Sequence, residues 1–252
     1  TAEKQHIIEA FHFEVGAVTN KDIRQKVVDM FNKVDGQLAK EIAKGIGAKA
    51  PSTPGGTGVT DSSPAVSQEN THKCPKTRKV AILVENGFNF PELSQVQEAL
   101  KAAGVSADII SQNLGMLTSV DGKQIEVTKN YHTGGSIMYD ALYITGGRQC
   151  VDLLLTQGDA VHFVNEAFKH AKPIGATNEA VELLESSQIQ GVKLAGKETV
   201  AQLCSDLGVV SIRNAADMGK YDQQGYFSQE FINAIAQHRH WGRQELKKMV
   251  PA

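Results

Sequence analysis

The sequence predicts an α/β fold in which helices cover both faces of a mainly parallel β-sheet, preceded by a linker and a short helical segment. From Lys79 onward, short apolar runs typical of buried strands alternate with amphipathic helical patterns. Residues 48–78 are rich in Pro, Gly, Ser and Thr and poor in large apolar residues, which favours a tether. Residues 1–47 carry apolar residues at helical spacing. We therefore divide the chain into 1–47, 48–78 and 79–252.

The composition excludes several classes of protein. The chain of 252 residues is 41% hydrophobic and 21% charged, which is typical of globular proteins, and its formal charge of −2 gives no general attraction to nucleic acid or to an anionic membrane. No apolar run is long enough to span a bilayer. The first residues lack the pattern of a signal peptide and an initiator Met, so they predict a fragment and give no cellular location. Cys74, Cys150 and Cys204 predict neither a disulfide framework nor a zinc site.

The N-terminal segment predicts two amphipathic helices. The first is HIIEAFHFEVGAV. The second begins after Thr19 or Asn20 and ends near Gly45 or Gly47. Two helices of this length cannot form a core alone, so we expect their apolar faces to need a partner, either the rest of this chain or an upstream domain.

The elements of the α/β segment follow in order. They are strand 79–85, helix 91–104, strand 105–111, strand 138–147, helix 159–172, strand 173–177, helix 179–187, strand 208–212 and helix 228–249. Strands joined by helices of this length require right-handed crossovers and therefore lie parallel. Function in such sheets lies at the carboxyl ends of the strands.

Three loops should meet at that edge: ENGFNFPEL after the first strand, TGGRQC after the middle strand, and TNEA after the next. Gly146 and Gly147 could point backbone N–H groups into a pocket, as an oxyanion hole needs, although paired glycines more often mark a tight strand exit. Glu92, at the start of a helix, could point at the same turn.

The strand-to-helix turn at 177–180, here called the elbow, is where many α/β enzymes carry a nucleophile. The Asn178 amide does not ionise usefully, and Thr177 would need a base, yet no His is adjacent in sequence. A structural turn is therefore favoured over elbow catalysis, and Asn suits it because it tolerates left-handed backbone. Cys150 could be a reactive thiol, but a buried bystander is the commoner case.

The remaining polar motifs favour ordinary structural roles. His238 and His240 could bind a metal weakly, but Arg239 between them favours a solvated helix face. The basic tail suits a helix C-terminus and is too sparse to indicate nucleic acid. Its members are Arg239, Arg243, Lys247 and Lys248. There is no P-loop, no GxGxxG and no flavodoxin-type phosphate loop, so a phosphate-based cofactor is not indicated.

Three segments, KVAILVENGFNFPEL, YDALYITGG and KPIGATNEAVELL, resemble the PfpI-type branch of the class I glutamine amidotransferase-like superfamily across about residues 78–238. The resemblance implies a flavodoxin-like three-layer α/β/α sandwich. It places the family's nucleophilic Cys at Asn178, the following His at Glu179, the Gly at Ala180 and the supporting glutamate at Glu92. It therefore implies a vestigial pocket without protease, deglycase or amidase activity. The pocket residues are Glu92, Gly146, Gly147, Thr177, Asn178 and Glu179.

The N-terminal helices are similar to the final helices of haem catalases, and helices, linker and PfpI-like domain in this order resemble the C-terminal part of large-subunit catalases. The resemblance implies a fungal parent whose haem is ligated upstream by Tyr in an Arg-x-x-x-Tyr setting. No Arg-x-x-x-Tyr occurs in these 252 residues. We therefore expect no haem, other cofactor, metal or peroxide degradation in this fragment.

Three functional hypotheses follow from the resemblance. The first is a non-catalytic domain with ATP-independent holdase activity, which protects the catalase and other proteins under oxidative or thermal stress through an exposed apolar patch of several hundred Å². Its partners would be the catalase core, neighbouring subunits of a homotetramer and unfolded clients, with no nucleic acid or membrane. The second is a domain that only braces the tetramer and the haem-channel entrance. The third is a residual hydrolase that uses Glu92 with Thr177 or Cys150.

Overall fold

The computed structural model describes residues 1–61, 63–67, 72–197, 202–214, 226–246 and 250. The chain forms two compact units, Thr1–His72 and Lys73–Ala252. The finer division at 47 and 78 stays a prediction. Within the described residues, no helix is both long and apolar enough to cross a membrane.

The first unit contains three helices where the sequence predicted two. They are α1 (Ala2–Gly16), α2 (Lys21–Asn32) and α3 (Gly36–Ile46). The predicted second helix breaks because the Asp35 carboxylate accepts the Leu38 N–H at 2.8 Å and so begins α3 as its N-cap. Asn20 caps α2, which confirms one of the two predicted caps. Gly47, with φ of +66°, ends α3, whereas Gly45 lies inside it.

These three helices bury a small core of their own, contrary to the expectation that they could not. The core exists because α3 adds a third apolar face to those of α1 and α2. Its members are Ile8, Val15, Val28, Leu38, Ala39, Ile42, Ala43 and Ile46. Other apolar side chains stay exposed, and they are Ile7, Phe13, Ile23, Met30 and Val34.

The start of the predicted tether is fixed to the helical unit by hydrogen bonds. Gly36 N–H donates to the Gly55 carbonyl at 2.8 Å, and Gly55 N–H donates to Asn32 Oδ1 at 2.9 Å. A Cβ at Gly55 would stand 2.5 Å from the Asn32 carbonyl oxygen, so the approach depends on glycine. The composition of residues 48–78 predicted a tether, and these backbone hydrogen bonds order its first part.

The second unit alternates strands and helices. Its strands are β1 (Lys79–Leu83), β2 (Ser106–Ser111), β3 (Gly115–Thr118), β4 (Gln124–Val127), β5 (Lys129–Asn130), β6 (Ala141–Ile144), β7 (Ile174–Thr177), β8 (Gln202–Asp206) and β9 (Val209–Arg213). Its helices are α4 (Phe90–Ala102), α5 (Arg148–Leu155), α6 (Gly158–Lys169), α7 (Val181–Ser186) and α8 (Tyr226–Ala236), with 3-10 turns at Ser136–Met138, Asn178–Ala180 and Trp241–Arg243.

Seven of these strands form one sheet in the order β5-β2-β1-β6-β7-β9-β8, parallel except for the antiparallel β8–β9 pair. Helices α4 and α8 pack together on one face, and α5, α6 and α7 pack together on the other. Leu93, Val96 and Leu100 of α4 are buried, as their spacing predicted. At β7, Gly175 lets Phe227 and Phe231 of α8 approach the strand. The predicted α/β/α sandwich with a mainly parallel sheet is confirmed.

Several elements were not predicted. The hairpin β3–β4 and helix α5 lie in segments too short or too polar to give a clear period. Strand β8 joins β9 through the two-residue turn Leu207–Gly208, in which both residues have positive φ. Leu is an unusual residue for such a turn, so its sequence gave little signal.

The prediction that the chain closes in helix to residue 249 was wrong. Helix α8 ends at Ala236, and His238 adopts a φ of +63°, which α-helix does not permit. The following residues return to the N-terminal edge of the sheet, where His238 Nε2 lies 3.2 Å from Asp140 Oδ1 and His240 N–H donates to the Ala171 carbonyl at 2.8 Å.

The predicted helix-end role for the basic tail was also wrong for Arg243. This side chain is buried, donates to the Lys172 carbonyl, and lies over the Phe168 ring with 4.7 Å between Cζ and the ring centroid. Burial and the charge of Arg239 lower the pKa of Arg243 to about 9. Lys247 and Lys248 lie outside the described residues.

Candidate functional site

Sheet register brings the predicted site residues to one edge. Ile144 of β6 pairs with Ala176 of β7, and Thr177 of β7 pairs with Ile212 of β9. Gly146 and Asn178 therefore leave neighbouring strands at the same level, and Arg213 follows one strand further along. Because neighbouring strands lie about 4.8 Å apart, these three backbones form a short row at the carboxyl edge.

The elbow has the backbone that the sequence predicted. Asn178 adopts a φ of +50°, in the left-handed region that Asn tolerates better than most residues. Thr177, the preceding residue, is fully buried, and its Oγ1 lies 2.9 Å from the Tyr143 hydroxyl. A hydroxyl in this position is enclosed by the sheet and does not face solvent.

Glu92 reaches the elbow from the first turn of α4. Asn89 caps this helix, because its Oδ1 accepts the Glu92 N–H at 3.3 Å. The Glu92 side chain is buried, and its Oε1 accepts from Asn178 Nδ2 at 2.6 Å and from Asn89 Nδ2 at 2.9 Å. The asparagine amide at the elbow is therefore a hydrogen-bond donor to the glutamate that the family resemblance places beside it.

Both backbone N–H groups of the glycine pair are occupied by carboxylates of this chain. Gly146 N–H donates to Glu92 Oε2 at 3.2 Å, and Gly147 N–H donates to Glu179 Oε2 at 3.0 Å. Oxyanion stabilisation requires free donors aimed at the position where negative charge develops. A substrate oxyanion would have to displace two anions to reach these donors.

The electrostatics of Glu92 are governed by its burial. Burial raises the pKa of this carboxyl and the nearby Glu179 charge adds to the effect, while hydrogen bonds from Thr177, Asn178 and Gly146 oppose it. A carboxyl whose pKa is higher in the folded state binds more protons there than in the unfolded chain. Its contribution to stability is therefore present at low pH and is lost as pH rises through the folded pKa.

We expect Glu92→Gln to remove this pH dependence. As pH rises from about 4 to about 8, the free energy of unfolding of the original chain should fall more than that of the variant. Urea unfolding at a series of pH values measures the difference. Glu98→Gln, an exposed position on the same helix, is the control and should follow the original chain. Parallel curves for Glu92→Gln and the original chain would contradict the assignment.

A cavity of about 950 Å³ opens at this edge. Four of the six predicted pocket residues line it: Glu92, Gly147, Asn178 and Glu179. Gly146 and Thr177 do not line the cavity, but each forms a hydrogen bond with Glu92. Sequence reasoning missed several charged lining residues, because their approach depends on tertiary packing. They are Asp121, Arg148, Glu182, Lys197 and Arg213.

The missed residues differ in how far they are neutralised. Arg148 donates to both carboxylate oxygens of Glu182 at 2.9 and 3.0 Å, and its Nη2 lies 2.7 Å from Asp152 Oδ1. Arg213 pairs with Glu185, with 2.8 Å between Nη2 and Oε2. Sequence reasoning also missed Asn89, although an Asn three residues before a Glu is a recognisable helix N-cap pattern. No comparable pattern in the sequence pointed to Arg213.

Cys150 does not line the cavity. The residue is fully buried, and its Sγ accepts the Glu85 N–H at 3.1 Å. Burial raises the pKa of the thiol to about 12. All three cysteines are free, and the described part of the chain holds no cluster of three or more His, Cys, Asp or Glu side chains with metal-binding geometry.

The described residues do not fit a haem. An axial tyrosinate needs a phenol that is free to lose its proton to iron. The hydroxyls of Tyr131 and Tyr139 donate to Gln157 and Asp108, and the Tyr143 hydroxyl is engaged by Thr177. Seven of the fourteen residues that line the cavity are charged, whereas a porphyrin requires a broad apolar slot.

Comparison with protein families gives two matches. Residues 76–245 match the family described as the C-terminal domain found in long catalases. Residues 1–46 match the family described as catalase-related immune-responsive.

Curated relatives extend these matches over nearly the whole chain. The chain is 44% identical over 241 residues to Catalase-2 of Bacillus subtilis, with 96% of the chain and 32% of that protein covered. It is 34% identical to Catalase HPII of Mycobacterium avium (96% and 33% covered) and 30% identical to Catalase-1 of Neurospora crassa (96% and 34% covered). The chain thus spans about a third of these relatives, which are bacterial and fungal, so a fungal source stays a prediction.

Solved structures with this fold are more distant in sequence. Oxidized DJ-1 of Toxoplasma gondii superposes with a TM-score of 0.51 at 16% identity, covering 64% of this chain and 97% of that one. A two-domain protein of Anabaena variabilis with DJ-1/ThiJ/PfpI-like and ferritin-like domains gives a TM-score of 0.50 at 19% identity, covering 57% and 50%. At these identities the likeness shows the fold alone.

Proposed function

This chain belongs to the family of C-terminal domains found in long catalases, and from that premise we propose that it is a non-catalytic protein-binding domain of a haem-dependent parent catalase. One observation carries the proposal. At the elbow, an amide that cannot ionise is bonded to Glu92, and carboxylates fill both glycine N–H groups beside it. Among the described residues of the elbow and the glycine pair, this arrangement offers no ionisable nucleophile and no free oxyanion donor, which supports a non-catalytic role.

The binding activity that we propose is that of an ATP-independent holdase, which masks apolar surface on unfolded clients under oxidative or thermal stress. Exposed apolar side chains around the β3–β4 hairpin support it, namely Leu114, Met116 and Val120. Val120 is 75% exposed, and a polar side chain at so exposed a position would avoid placing apolar surface in water. Several exposed apolar side chains along one hairpin are consistent with a protein-contact surface.

We expect the chain to suppress thermal aggregation of a test protein without ATP, and the triple variant Leu114→Ser, Met116→Ser, Val120→Ser to lose most of that suppression. The physical reason is that each substitution removes apolar area available to a client. Light scattering of the heated test protein, at several molar ratios of chain to client, measures the effect.

The matched control is Val59→Ser, which removes an equally exposed apolar side chain from the linker and should leave suppression unchanged. If the original chain gives no suppression at a several-fold molar excess, the holdase assignment fails. Equal losses in the triple variant and the control would place the binding surface elsewhere.

A second candidate is a domain that only braces the parent tetramer and the haem-channel entrance. It is favoured by the exposed apolar side chains of the helical unit, where Phe13 is 79% exposed. Such side chains would be covered if the unit packs against the upstream catalase core or a neighbouring subunit. Comparing the full-length parent with a truncated one distinguishes the candidates, because truncation lowers tetramer stability under bracing even when the isolated chain protects no client.

The residual-hydrolase hypothesis has the least support. Its nucleophile candidates Thr177 and Cys150 are fully buried, and the Cys150 thiol has its pKa raised to about 12. If any esterase activity is found, Glu92→Ala should abolish it, and unchanged turnover would dismiss the hypothesis.

A further inference from the structure

Arg213 is a buried cation at the cavity that the protein-binding function does not use. It ends β9, lines the cavity and has a side chain only 7% exposed. Its Nη2 forms an ion pair with Glu185, 2.8 Å from Oε2, but in the part of the chain that the structure describes neither Nη1 nor Nη2 makes a hydrogen bond of good geometry. A guanidinium nitrogen buried without an acceptor costs free energy, which an anionic group entering the cavity would recover.

A second cation shares the same counter-ion. Lys197 also lines the cavity, and its Nζ lies 3.6 Å from Glu185 Oε2. One carboxylate therefore serves two cations, and this side of the cavity carries an excess of positive charge. Arg148 does not add to it, because Glu182 and Asp152 occupy its guanidinium. A carboxylate suits a planar guanidinium, which can bind it with directed hydrogen bonds.

The other side of the cavity is anionic. Glu179 accepts the Gly147 N–H with Oε2 alone, and a carboxylate that accepts one hydrogen bond keeps further acceptor capacity. Asp121 and Glu182 line the same cavity, which disfavours a ligand that is only negatively charged. The glycine pair follows β6 and Arg213 ends β9, with β7 between them, so the backbones at Gly147 and Arg213 lie two strand spacings apart, roughly 10 Å.

We propose that this cavity binds a small zwitterion, an ω-amino acid with its carboxylate on Arg213 and its ammonium group on Glu179. A ligand with a negative group at one end and a positive group at the other meets both sides of the cavity, with hydrogen bonds of about 2.9 Å to Arg213 and to Glu179. Titration with ω-amino acids of increasing length identifies the separation of the charged groups that the cavity accepts. The proposal rests on the charges of Arg213 and Glu179, whereas the holdase assignment rests on exposed apolar side chains, so the two can fail separately although Val120 borders both sites.

Calorimetric titration of the 252-residue chain with three probes tests the proposal: β-alanine, γ-aminobutyrate and 5-aminopentanoate. We expect saturable binding of at least one probe, and binding at least about tenfold weaker for butyrate and for butylamine, each of which lacks one charged end. Arg213→Gln should weaken binding at least about tenfold. Glu179→Gln should do the same while it keeps an oxygen acceptor for the Gly147 N–H.

Arg148→Gln is the matched control, since it removes a positive charge from the same cavity at a guanidinium that is already paired, and it should retain the affinity. If Arg213→Gln does not fold, Arg213→Lys replaces it in the test. Lysine keeps the positive charge beside Glu185 but lacks the second terminal nitrogen of arginine, so this variant should also bind the probes more weakly. Failure of all three probes to bind a folded chain overturns the proposal. Equal binding of butyrate, or unchanged affinity in the folded Arg213 variant, overturns it as well.

Discussion

Gly147→Ala is expected to lower the free energy of unfolding by about 3 kcal/mol or more, the largest effect of any methyl-sized change at this edge of the sheet. Gly147 has a φ of +117°, which residues with a Cβ rarely adopt. A Cβ there would stand 2.4 Å from the Gly87 carbonyl oxygen and 2.8 Å from Phe88 Cα. Both are backbone atoms, so relief requires movement of the β1–α4 loop.

Urea unfolding followed by circular dichroism measures this change. Gly135→Ala is the matched control, because a Cβ at Gly135 meets nothing within 4 Å and its φ of −65° suits any residue. The free energy of unfolding of the control should stay within about 0.5 kcal/mol of that of the original chain. If Gly147→Ala and the control unfold at the same urea concentration, the β1–α4 loop can move to accept a Cβ at little cost, and the prediction is wrong.

Arg243→Ala is expected to lower the free energy of unfolding by about 3 kcal/mol or more. The sequence had placed this residue in a basic tail at a helix C-terminus. The side chain is the largest of those fully buried. Its removal leaves a cavity over the Phe168 ring and takes a donor from the Lys172 carbonyl. Both losses act on the junction between the C-terminal segment and the N-terminal edge of the sheet.

Arg243→Met separates packing from charge. Methionine fills much of the same volume but carries no charge, and replacing a buried cation by a well-packed apolar side chain is often nearly neutral. We expect this variant to recover about 2 kcal/mol relative to Arg243→Ala, again by urea unfolding. If both variants are equally unstable, the hydrogen bond to Lys172 dominates, and if neither is destabilised, the buried position of Arg243 is wrong.

The framework of the fold was predictable because its signals are local. Apolar runs such as KVAIL fit a strand buried on both faces, and Leu93, Val96 and Leu100 repeat at helical spacing. The end of α8 was not predictable, because polar residues after Ala236 suit an exposed helix equally well. What ends the helix is tertiary: Asp140, Ala171 and the carbonyl of Lys172 bind the segment that follows.

The sequence predicted which segments meet at the candidate site but not how their side chains are bonded there. Parallel strands bring their carboxyl ends together, so Glu92, the glycine pair and the elbow had to meet. Sequence could not show that Glu179 would turn its carboxylate onto the Gly147 N–H. Nor could it show that Arg213 would be buried, since a charged residue at a strand end is usually exposed. Both outcomes depend on how three loops pack against one another.

The backbone at Asn178 limits which mutations the elbow can accept, whatever its chemistry. A φ of +50° costs most residues about 1 kcal/mol or more, and Gly, Asn and Asp tolerate it best. The conformation of the backbone therefore restricts the residues that this position can accept, even if its side chain has no catalytic role. An engineer who wishes to install a new nucleophile there must accept that conformational penalty and must also clear two acidic groups from the adjoining amides.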